Sequence, residues 1–553
     1  MLYEEMVLLH EQKTRKILFS QVTGPDGMRG AFPEGDGVPD TRRCGFALAH
    51  LAEAFLIPGN RFYHSPRVKD ALETGLAFLT SHLRPGGCMD LTSCNFASAP
   101  DTAFTLNEII VAWWLLEKDE SGEAEWLRAP LKALIGRCGE GVMNGGFHTP
   151  NHRWAIASCL LHAARICGRD DFSRRAQTYL GEGLDINAEG EFAERSGGIY
   201  NLVNDDQMIR LYLATGDSRY LEAARSNLRM MLSYIDPDGS VFTGNSTRQD
   251  RGKKVYLDGY YRLFLMTGYL LGDEELAAYS EYCRETAAAN GRTPDCLAWL
   301  ALYPDLEEFG RRKNPDLTGI LRCRKLFAPS GIARIRRGDW SCSLMREKPD
   351  FLYFQHGGST ICLAVYQNVC DRRNFAAETL EETERGYRMT ARADSWYYLP
   401  FEGKGPDTSD WWAMDNARTR ERMAEDSLRT EIEVIPEEDG VELVFRSEGL
   451  SGVPVRLEWG LPAGERLRNE NFCLETSPGG QITVGGGRLE IGREEGEILT
   501  IDPCFAEHDS RARMSGAFQA AGERFTVYMT AFSPFERRIH LGTKPLFPKL
   551  FRA

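Results

Sequence analysis

The sequence lacks the features that mark membrane, secreted and disulfide-rich proteins. Its longest strongly apolar stretches, such as Ile109 to Leu116, are far shorter than the roughly 20 residues that span a bilayer. The first residues do not combine a basic segment with an apolar run, so we expect no secretory signal and a cytoplasmic location. The 14 cysteines are scattered without a CxxC pair. We therefore expect reduced, mostly buried thiols.

An excess of positive charge is also missing. Lysine and arginine number 66 against 80 aspartate and glutamate residues, which gives a net charge of −14. This balance disfavours nucleic acid and anionic membranes, and we expect neither as a partner. The sequence contains no Walker loop, Rossmann fingerprint or Ser-elbow motif. With 553 residues the chain is too long for one core, so two or three domains are expected.

Residues 2 to 302 have helical periodicity almost throughout. The pattern predicts helices over 2–19, 40–57, 66–83, 103–118, 123–137, 150–168, 171–183, 199–215, 218–234, 254–271, 273–289 and 292–302. Short acidic or glycine turns follow the even-numbered helices, whereas most even-numbered helices are preceded by the long polar loops 20–39, 84–102, 138–149, 184–198 and 235–253. This alternation places every long loop at the same end of the array. Six helical hairpins of this kind would close into an (α/α)6 toroid.

After Asn314-Pro315 the pattern changes to short β-rich runs. They are Gly331 to Arg336, Ser359 to Tyr366, Val441 to Phe445, Ile482 to Val484 and Phe525 to Met529, each bounded by Gly, Pro or Asp. Runs at this spacing are typical of a large antiparallel sandwich. The predicted fold class is therefore α+β multidomain. An N-terminal (α/α)6 toroid occupies residues 1–315 and a C-terminal antiparallel β-sandwich occupies residues 316–553.

Four of the long loops carry a polar cluster where a predicted inner helix begins. The clusters contain Asn95 and Asp101; His148, Asn151, His152 and Arg153; Glu194, Arg195 and Tyr200; and Arg248, Gln249 and Asp250. Each cluster alone has an ordinary structural explanation, since Asp101 could be an N-cap and Glu194-Arg195 a surface pair. Four clusters on equivalent loops, however, predict one shared site at the mouth of the toroid.

The arrangement of these motifs resembles that of the heparinase II/III-like polysaccharide lyases. The resemblance rests on a helical toroid joined to a β-domain, on Asn151-His152-Arg153 opening one inner helix, and on the Glu-Arg-Ser run that ends in Tyr200. It implies that Asn151 binds a uronate carboxylate, that Tyr200 acts as acid or base, and that His356 of the β-domain assists. The implied substrate is a uronate-containing oligosaccharide.

The residue types suit β-elimination at a uronate. The C5 proton is weakly acidic while the carboxylate is charged, and each donor that stabilises the enolate-like transition state contributes about 3 kcal/mol. Asn151, His152, Arg153 and Arg195 could supply such donors, and a Tyr or His could move the protons. His148 and His152 have HxxxH spacing, but Pro150 between them disfavours a zinc helix. No metal and no cofactor are expected.

Two alternatives remain open from the sequence. Toroids also host glycosidases such as β-glucuronidases, which use a pair of carboxyl groups. Such a pair could come from Asp101, Glu194, Asp205, Asp206 and Asp250. A non-catalytic carbohydrate-binding protein is the second alternative. Trp411 and Trp412, in an insert of the β-domain, could stack on a sugar ring or pack inside the domain. A homodimer is possible.

Overall fold

The computed structural model describes residues 2–24, 27–33, 37–369, 372–399, 408–410, 412–413, 422–492, 498–520 and 522–544. The chain forms two compact units. The first contains Met1–Leu232 and Val241–Asp316, and the second contains Ser233–Ser240 and Leu317–Ala553. The sequence did not predict that a short segment within the helical half, Ser233–Ser240, belongs to the second unit.

The first unit is built from helices joined in hairpins. The helices are α1 (Leu2–Ser20), α2 (Thr41–Leu56), α3 (Pro66–His82), α4 (Ala99–Lys118), α5 (Glu125–Asn144), α6 (Pro150–Cys167), α7 (Asp170–Leu180), α8 (Tyr200–Thr215), α9 (Ser218–Leu232), α10 (Tyr260–Leu271), α11 (Glu274–Ala289), α12 (Leu297–Leu302) and α13 (Leu306–Gly310). A small hairpin of β1 (Met89–Leu91) and β2 (Asn95–Ser98) precedes α4, and a 3-10 turn (Leu257–Gly259) precedes α10. None of the helices in the described residues is long and apolar enough to cross a bilayer.

The even-numbered helices α2, α4, α6, α8 and α10 pack against one another in sequence, and the odd-numbered helices pack on them from outside. Helix α1 contacts both α2 and α12, which brings the start and the end of the helical run together. The short turns that follow α6, α8 and α10 begin with Gly168, Gly216 and Gly272, each in the left-handed conformation that ends a helix. The toroid predicted from alternating short and long connections is confirmed.

The second unit is a β-sandwich that begins after the short helix α14 (Thr318–Leu321). Its strands are β3 (Arg322–Phe327), β4 (Ile332–Arg337), β5 (Trp340–Met345), β6 (Leu352–His356), β7 (Ser359–Val369), β8 (Arg372–Asn374), β9 (Thr379–Glu382), β10 (Tyr387–Tyr398), β11 (Arg422–Pro436), β12 (Gly440–Gly449), β13 (Pro454–Leu461), β14 (Arg466–Asn469), β15 (Phe472–Glu475), β16 (Gln481–Thr483), β17 (Leu489–Gly492), β18 (Ile498–Asp502), β19 (Phe525–Phe532) and β20 (Phe535–Lys544).

These strands form two sheets in the described part of the chain. One has the order β15-β14-β17-β18-β20-β12-β11-β10-β9, and the other has the order β16-β19-β13-β7-β6-β5-β4-β3 with β8 beside β7. Neighbouring strands are antiparallel, apart from the parallel pair β16 and β19. Side chains from both sheets, such as Phe354 and Phe445, share one buried core. The predicted antiparallel sandwich is confirmed.

Inside the second unit, Arg334 of β4 fixes the segment Ser233–Ser240. The Arg334 guanidinium is buried, and its Nη2 lies 2.8 Å from Asp236 Oδ1. Its Nε donates to the Ser233 carbonyl at 3.0 Å, and the Ser341 hydroxyl donates to the same Asp236 oxygen at 2.8 Å. A buried ion pair with these additional hydrogen bonds is well compensated for its loss of hydration.

Candidate functional site

A cavity of about 880 Å³ in the helical unit collects residues from four of the predicted polar loops. Eight predicted site residues line it: Asn95, Asp101, His148, Asn151, His152, Tyr200, Arg248 and Gln249. As expected, Asn151 and Tyr200 lie in the first turns of α6 and α8. The two polar clusters are therefore presented by helix N-termini, while Arg248 and Gln249 come from the loop that precedes α10.

Asn151 is held in one orientation by its neighbours. Its Nδ2 lies 2.7 and 2.8 Å from the two carboxylate oxygens of Glu194, and 3.2 Å from the Thr149 hydroxyl oxygen. Because these acceptors occupy the amide hydrogens, the amide cannot turn its oxygen toward Glu194 without opposing a carboxylate. Asn151 Oδ1 is buried and accepts no hydrogen bond from the described residues. At Asn151, therefore, an acceptor and not a donor is unused.

Glu194 lies behind the cavity wall and connects three of its parts. Besides the Asn151 side chain, it accepts the Asn151 backbone N–H at 3.1 Å, and Arg248 Nε lies 3.6 Å from its Oε1. The Glu194 carbonyl accepts the Thr247 hydroxyl at 2.8 Å. Burial raises the pKa of Glu194, while the hydrogen bonds from Asn151 oppose that rise. The geometry makes Glu194 a support for Asn151 and does not place it on the cavity surface.

Tyr200 and Arg248 form the second functional pair of the cavity. Arg248 Nη2 donates to the Tyr200 phenol oxygen at 3.4 Å, and its guanidinium carbon lies 4.7 Å from the centre of the Tyr200 ring. The phenol donates to Gln249 Oε1 at 3.2 Å. The hydrogen bond to Tyr200 raises the pKa of Arg248. A fixed positive charge beside a phenol oxygen stabilises the negative charge that develops when that oxygen gives up its proton.

His152 is an uncharged member of the cavity at neutral pH. Burial, assisted by the neighbouring His148, lowers the pKa of His152 to about 4. The two imidazole rings meet edge to face with centroids 4.6 Å apart. His152 Nδ1 is buried and has no hydrogen-bond partner among the described residues. His152 can therefore donate or accept a hydrogen bond, but it brings no positive charge to a ligand.

Asp101 and Arg42 form an ion pair in the cavity lining. Arg42 Nε lies 3.3 Å from Asp101 Oδ1, and the other Asp101 oxygen accepts the Ser98 hydroxyl at 2.6 Å and Asn95 Nδ2 at 3.4 Å. Ser98, and not Asp101, caps α4. Arg42, which the sequence reasoning missed, also lines the cavity.

Three predicted substrate-binding residues do not line the cavity, because their charges are satisfied elsewhere. Arg153 lies against the Trp154 ring and bonds Glu182 at 3.1 Å, and Arg195 pairs with Glu191 at 3.4 Å. Asp250 is fully buried, where it accepts hydrogen bonds from the hydroxyls of Ser196 and Ser246 and from the backbone N–H of Gly198. Asp250 therefore organises the loop, and these three residues lie apart from the cavity in which the other predicted residues meet.

The candidates in the second unit are described separately from this cavity. His356 ends β6, is buried, and its Nδ1 lies 3.1 Å from the Asp339 carbonyl oxygen. Trp412 is 91% exposed, and its backbone N–H donates to Asp410. Trp411 lies outside the described residues. The roles of His356, Trp411 and Trp412 stay predictions.

The cavity also contains a charged group on the inner helices. The sequence predicted Asp206 as a carboxyl candidate but did not predict Glu108 or Arg262. Asp206 accepts hydrogen bonds from Arg210 at 2.7 Å and from Arg262 at 2.6 Å, and Arg210 donates to Glu108 at 2.8 Å. Burial raises the pKa of Glu108, whereas the two guanidiniums outweigh burial and lower the pKa of Asp206. The signal in the sequence was the charged residue Glu108 within the apolar stretch of α4. Asp205 is fully buried outside the cavity lining, and burial raises its pKa.

The candidate metal-binding groups among the described residues lie outside this cavity. In the part of the chain that the structure describes, the side-chain groups close enough to share a metal ion are His10, His50 and Glu53, and Glu437, Asp439 and His540. Neither group lines the cavity. The chemistry that its residues offer is hydrogen bonding, positive charge and proton transfer.

No protein-family model matches the sequence, and no curated protein matches it. Solved structures do match its fold. The chondroitin AC lyase of Streptomyces coelicolor A3, in complex with chondroitin sulphate, is 12% identical with a TM-score of 0.57, and the match covers 99% of this chain and 80% of that one. The heparan sulfate lyase of Pedobacter heparinus is 10% identical with a TM-score of 0.54, and the coverages are 97% and 83%.

A third match is the xanthan lyase of Paenibacillus, which is 10% identical with a TM-score of 0.60. That match covers 99% of this chain but only 57% of the xanthan lyase, so the chain spans little more than half the length of this neighbour. At identities of 10–12% these likenesses concern the fold. The resemblance inferred from the sequence is confirmed at that level: the chain has the fold of toroid polysaccharide lyases, a helical toroid followed by an antiparallel β-sandwich.

Proposed function

We propose that the protein is a lyase that cleaves uronate-containing oligosaccharides by β-elimination. The observation that carries this proposal is the position of the Tyr200 phenol, which shares one cavity with Asn151 and lies beside the Arg248 guanidinium. A proton-transferring phenol, a nearby cation and a buried polar amide are the groups that abstraction of a C5 proton requires. The lyase fold of the solved neighbours supports the same reaction class.

In the proposed reaction, the C5–H bond breaks and its electron pair forms the C4–C5 double bond while the C4–O bond breaks. The Tyr200 phenolate accepts the C5 proton, and the resulting phenol gives a proton to the leaving oxygen, so that Tyr200 ends the cycle unchanged. Arg248 stabilises the phenolate stage. His152 is neutral and serves as a hydrogen-bond partner of the uronate.

The orientation of Asn151 adds a condition on the bound uronate. Its Nδ2 is occupied by Glu194 and Thr149, so the amide offers Oδ1 to the ligand. A carboxylate oxygen would be repelled there, whereas a protonated carboxyl or a sugar hydroxyl would be bound. Binding the carboxyl in its neutral form would also remove the charge that keeps the C5 proton weakly acidic.

Hydrolysis is the second candidate, and one observation favours it. Glu108 and Asp206 line the same cavity, and their pKa values are shifted in opposite directions. Two carboxyl groups with separated pKa values are typical of an acid and base pair in glycosidases. Both groups are, however, held by Arg210, which makes them less free to contact a sugar.

One experiment separates the two reactions. The protein is incubated with a panel of uronic-acid oligosaccharides while ultraviolet absorbance follows the new C4–C5 double bond and a second assay follows reducing ends. Absorbance that rises together with reducing ends is expected for the lyase. Reducing ends without the chromophore would refute β-elimination and favour the hydrolase, and Glu108→Gln should then abolish the release.

A further inference from the structure

The turn between β11 and β12 carries three consecutive acidic side chains that take two different sets of partners. Glu438, in the middle, pairs with an arginine of β3 at 3.0 Å and with an arginine of β4 at 3.1 Å. Glu437 and Asp439, on either side of it, both approach His540 of β20, and this is their ion-pair contact among the described residues. The charge of Glu438 is therefore balanced by arginines, whereas the charges of Glu437 and Asp439 meet at one imidazole.

The three side chains bring possible ligand atoms close together. His540 Nε2 lies 3.3 Å from Glu437 Oε2 and 3.4 Å from Asp439 Oδ1, and the three atoms all lie within 4.8 Å of one another. In the part of the chain that the structure describes, neither contact is a hydrogen bond, and hydrogen bonds of this kind are usually shorter, at roughly 2.7–3.2 Å. The three atoms are therefore close to one another without being hydrogen-bonded together.

The spacing of these atoms fits a tetrahedral metal ion. Two ligand atoms that lie about 2.0–2.2 Å from a tetrahedral Zn²⁺ are about 3.3–3.6 Å apart, which matches the distances from His540 Nε2 to the two carboxylate oxygens. The Glu437 and Asp439 side chains are 47% and 64% exposed, so their carboxylates have room to rotate toward a shared ion. One imidazole and two carboxylates suit Zn²⁺, whereas Ca²⁺ and Mg²⁺ prefer oxygen ligands alone.

The backbone holds the ligand residues in place without a metal. The Asp439 carbonyl accepts the backbone N–H of Thr543 at 2.8 Å and its hydroxyl at 3.1 Å, which joins the turn to β20. The His540 ring lies against Gly542, where a Cβ would lie only 2.4 Å from the ring atom Cε1. Gly542 therefore leaves the space that the ring occupies. Because turn and strand are already joined, binding an ion would cost little ordering of the chain.

The second group that could share a metal, His10, His50 and Glu53, has hydrogen-bond partners of its own. His10 Nδ1 lies 3.2 Å from Asn60 Nδ2, and His50 Nε2 lies 3.0 Å from the Thr14 hydroxyl oxygen. The two imidazole rings also stack, with centroids 3.8 Å apart and planes 21° apart, so their in-plane lone pairs do not converge on one point. A metal would have to disrupt these contacts, and the comparison favours the group around His540.

We propose that Glu437, Asp439 and His540 bind a Zn²⁺ ion, with a water molecule as the fourth ligand. The ion connects the β11–β12 turn to β20, at one end of the adjacent strands β20, β12 and β11. It stabilises the β-unit because the three ligands are brought together in the folded chain and not in the unfolded one. This site is independent of the reaction proposed for the toroid cavity, and neither proposal depends on the other.

The test is a calorimetric titration of the whole, metal-free chain with ZnCl2. His540→Ala removes one ligand, and Gly542→Ala keeps all three ligands but displaces the His540 ring. Glu438→Gln is the matched control, since it removes one charge from the same turn but faces the arginines of β3 and β4. We expect zinc affinity to fall at least about tenfold in His540→Ala and Gly542→Ala, and to stay within about twofold in Glu438→Gln.

Two further measurements complete the test. Zn²⁺ should raise the melting temperature of wild type and of Glu438→Gln but not that of His540→Ala. Because a variant could fail to fold, wild type is also titrated with Co²⁺, which should give the visible absorption of a tetrahedral site and lose it when excess Zn²⁺ is added. Equal zinc affinity in wild type and His540→Ala, equally tight binding of Ca²⁺ by wild type, or absorption of octahedral Co²⁺ alone overturns the proposal.

Discussion

Glu194→Gln tests whether a residue outside the cavity controls the chemistry inside it. The Glu194 carboxylate accepts hydrogen bonds from Asn151 Nδ2 at 2.7 and 2.8 Å. These bonds fix the orientation of the Asn151 amide, whose oxygen has no hydrogen-bond partner among the described residues. A glutamine at 194 would present an NH2 group at one of the two contacts with Asn151 Nδ2, where two donors would oppose each other unless the Asn151 amide turns. We therefore expect the Asn151 amide to turn over and offer N–H where it now offers oxygen.

The size of the effect follows from this reversal. The turned amide would no longer accept a hydrogen bond from the protonated carboxyl, and a hydrogen bond to an ionisable group is worth roughly 1.5–3 kcal/mol, or a factor of about 10–100 in rate. We expect kcat/KM for the uronate substrate to fall by about 10–100-fold. The fold should survive, because a charge-assisted hydrogen bond is worth roughly 1.5–3 kcal/mol and a neutral one still replaces part of it.

The assay measures kcat/KM from the ultraviolet absorbance of the double bond, with urea unfolding as a check on stability. Glu182→Gln is the matched control, since Glu182 also accepts a hydrogen bond from a residue of α6, Arg153, and does not line the cavity. A value for Glu194→Gln within threefold of wild type would refute the reasoning. In an Asn151→Ala background, Glu194→Gln should cause no further loss, and an additive loss would mean that Glu194 acts independently of Asn151.

Three further predictions concern Tyr200, His152 and Arg334. Tyr200→Phe should lower kcat by about 100-fold or more with an unchanged melting temperature, and activity within tenfold of wild type would remove Tyr200 from proton transfer. The pKa of His152 is about 4 in the folded protein, below the value of about 6.5 in the unfolded chain. The unfolded chain therefore binds the proton first, and the free energy of unfolding should fall as the pH drops from about 6.5 to about 4. His152→Gln should flatten this part of a urea-unfolding profile, and an unchanged slope would contradict the buried, neutral imidazole. Arg334→Leu should destabilise the β-unit by about 3–5 kcal/mol because it leaves Asp236 buried and unpaired, and Asp236→Leu in the same chain should recover part of the loss.

The helices were predictable because their apolar periodicity and their turn residues agreed. Helix α6 begins at Pro150 as the sequence indicated. The predicted end of helix α5, near residue 137, was wrong, since the helix continues to Asn144. Two glycines of α5 are required by close packing and do not end the helix. A Cβ on Gly139 would lie 2.5 Å from the Phe172 ring, and a Cβ on Gly141 would lie 2.6 Å from the Cys88 backbone nitrogen. Glycine as a breaker and glycine as a close contact look the same in a sequence.

The cavity residues were predictable where they lie on the polar loops. The residues of the four polar loops that line the cavity follow from the alternation of connection lengths. Asp250 was misjudged because a sequence does not show that Ser196 and Ser246 will surround its carboxylate. Asp206 was a predicted carboxyl candidate, but Glu108 and Arg262 were missed. Each looks like a single charge on a helix face until α4, α8 and α10 bring them together.

The segment Ser233–Ser240 means that the β-unit is discontinuous along the chain. A fragment that begins at residue 317 would lack Asp236 and would leave Arg334 without its carboxylate, so cutting the gene at the apparent boundary between α13 and β3 should give an insoluble β-fragment. During synthesis from the N-terminus, the same eight residues emerge long before the strands that receive them. Adding the missing segment as a peptide that carries Asp236 is therefore a direct way to ask whether the β-unit can be completed in two pieces.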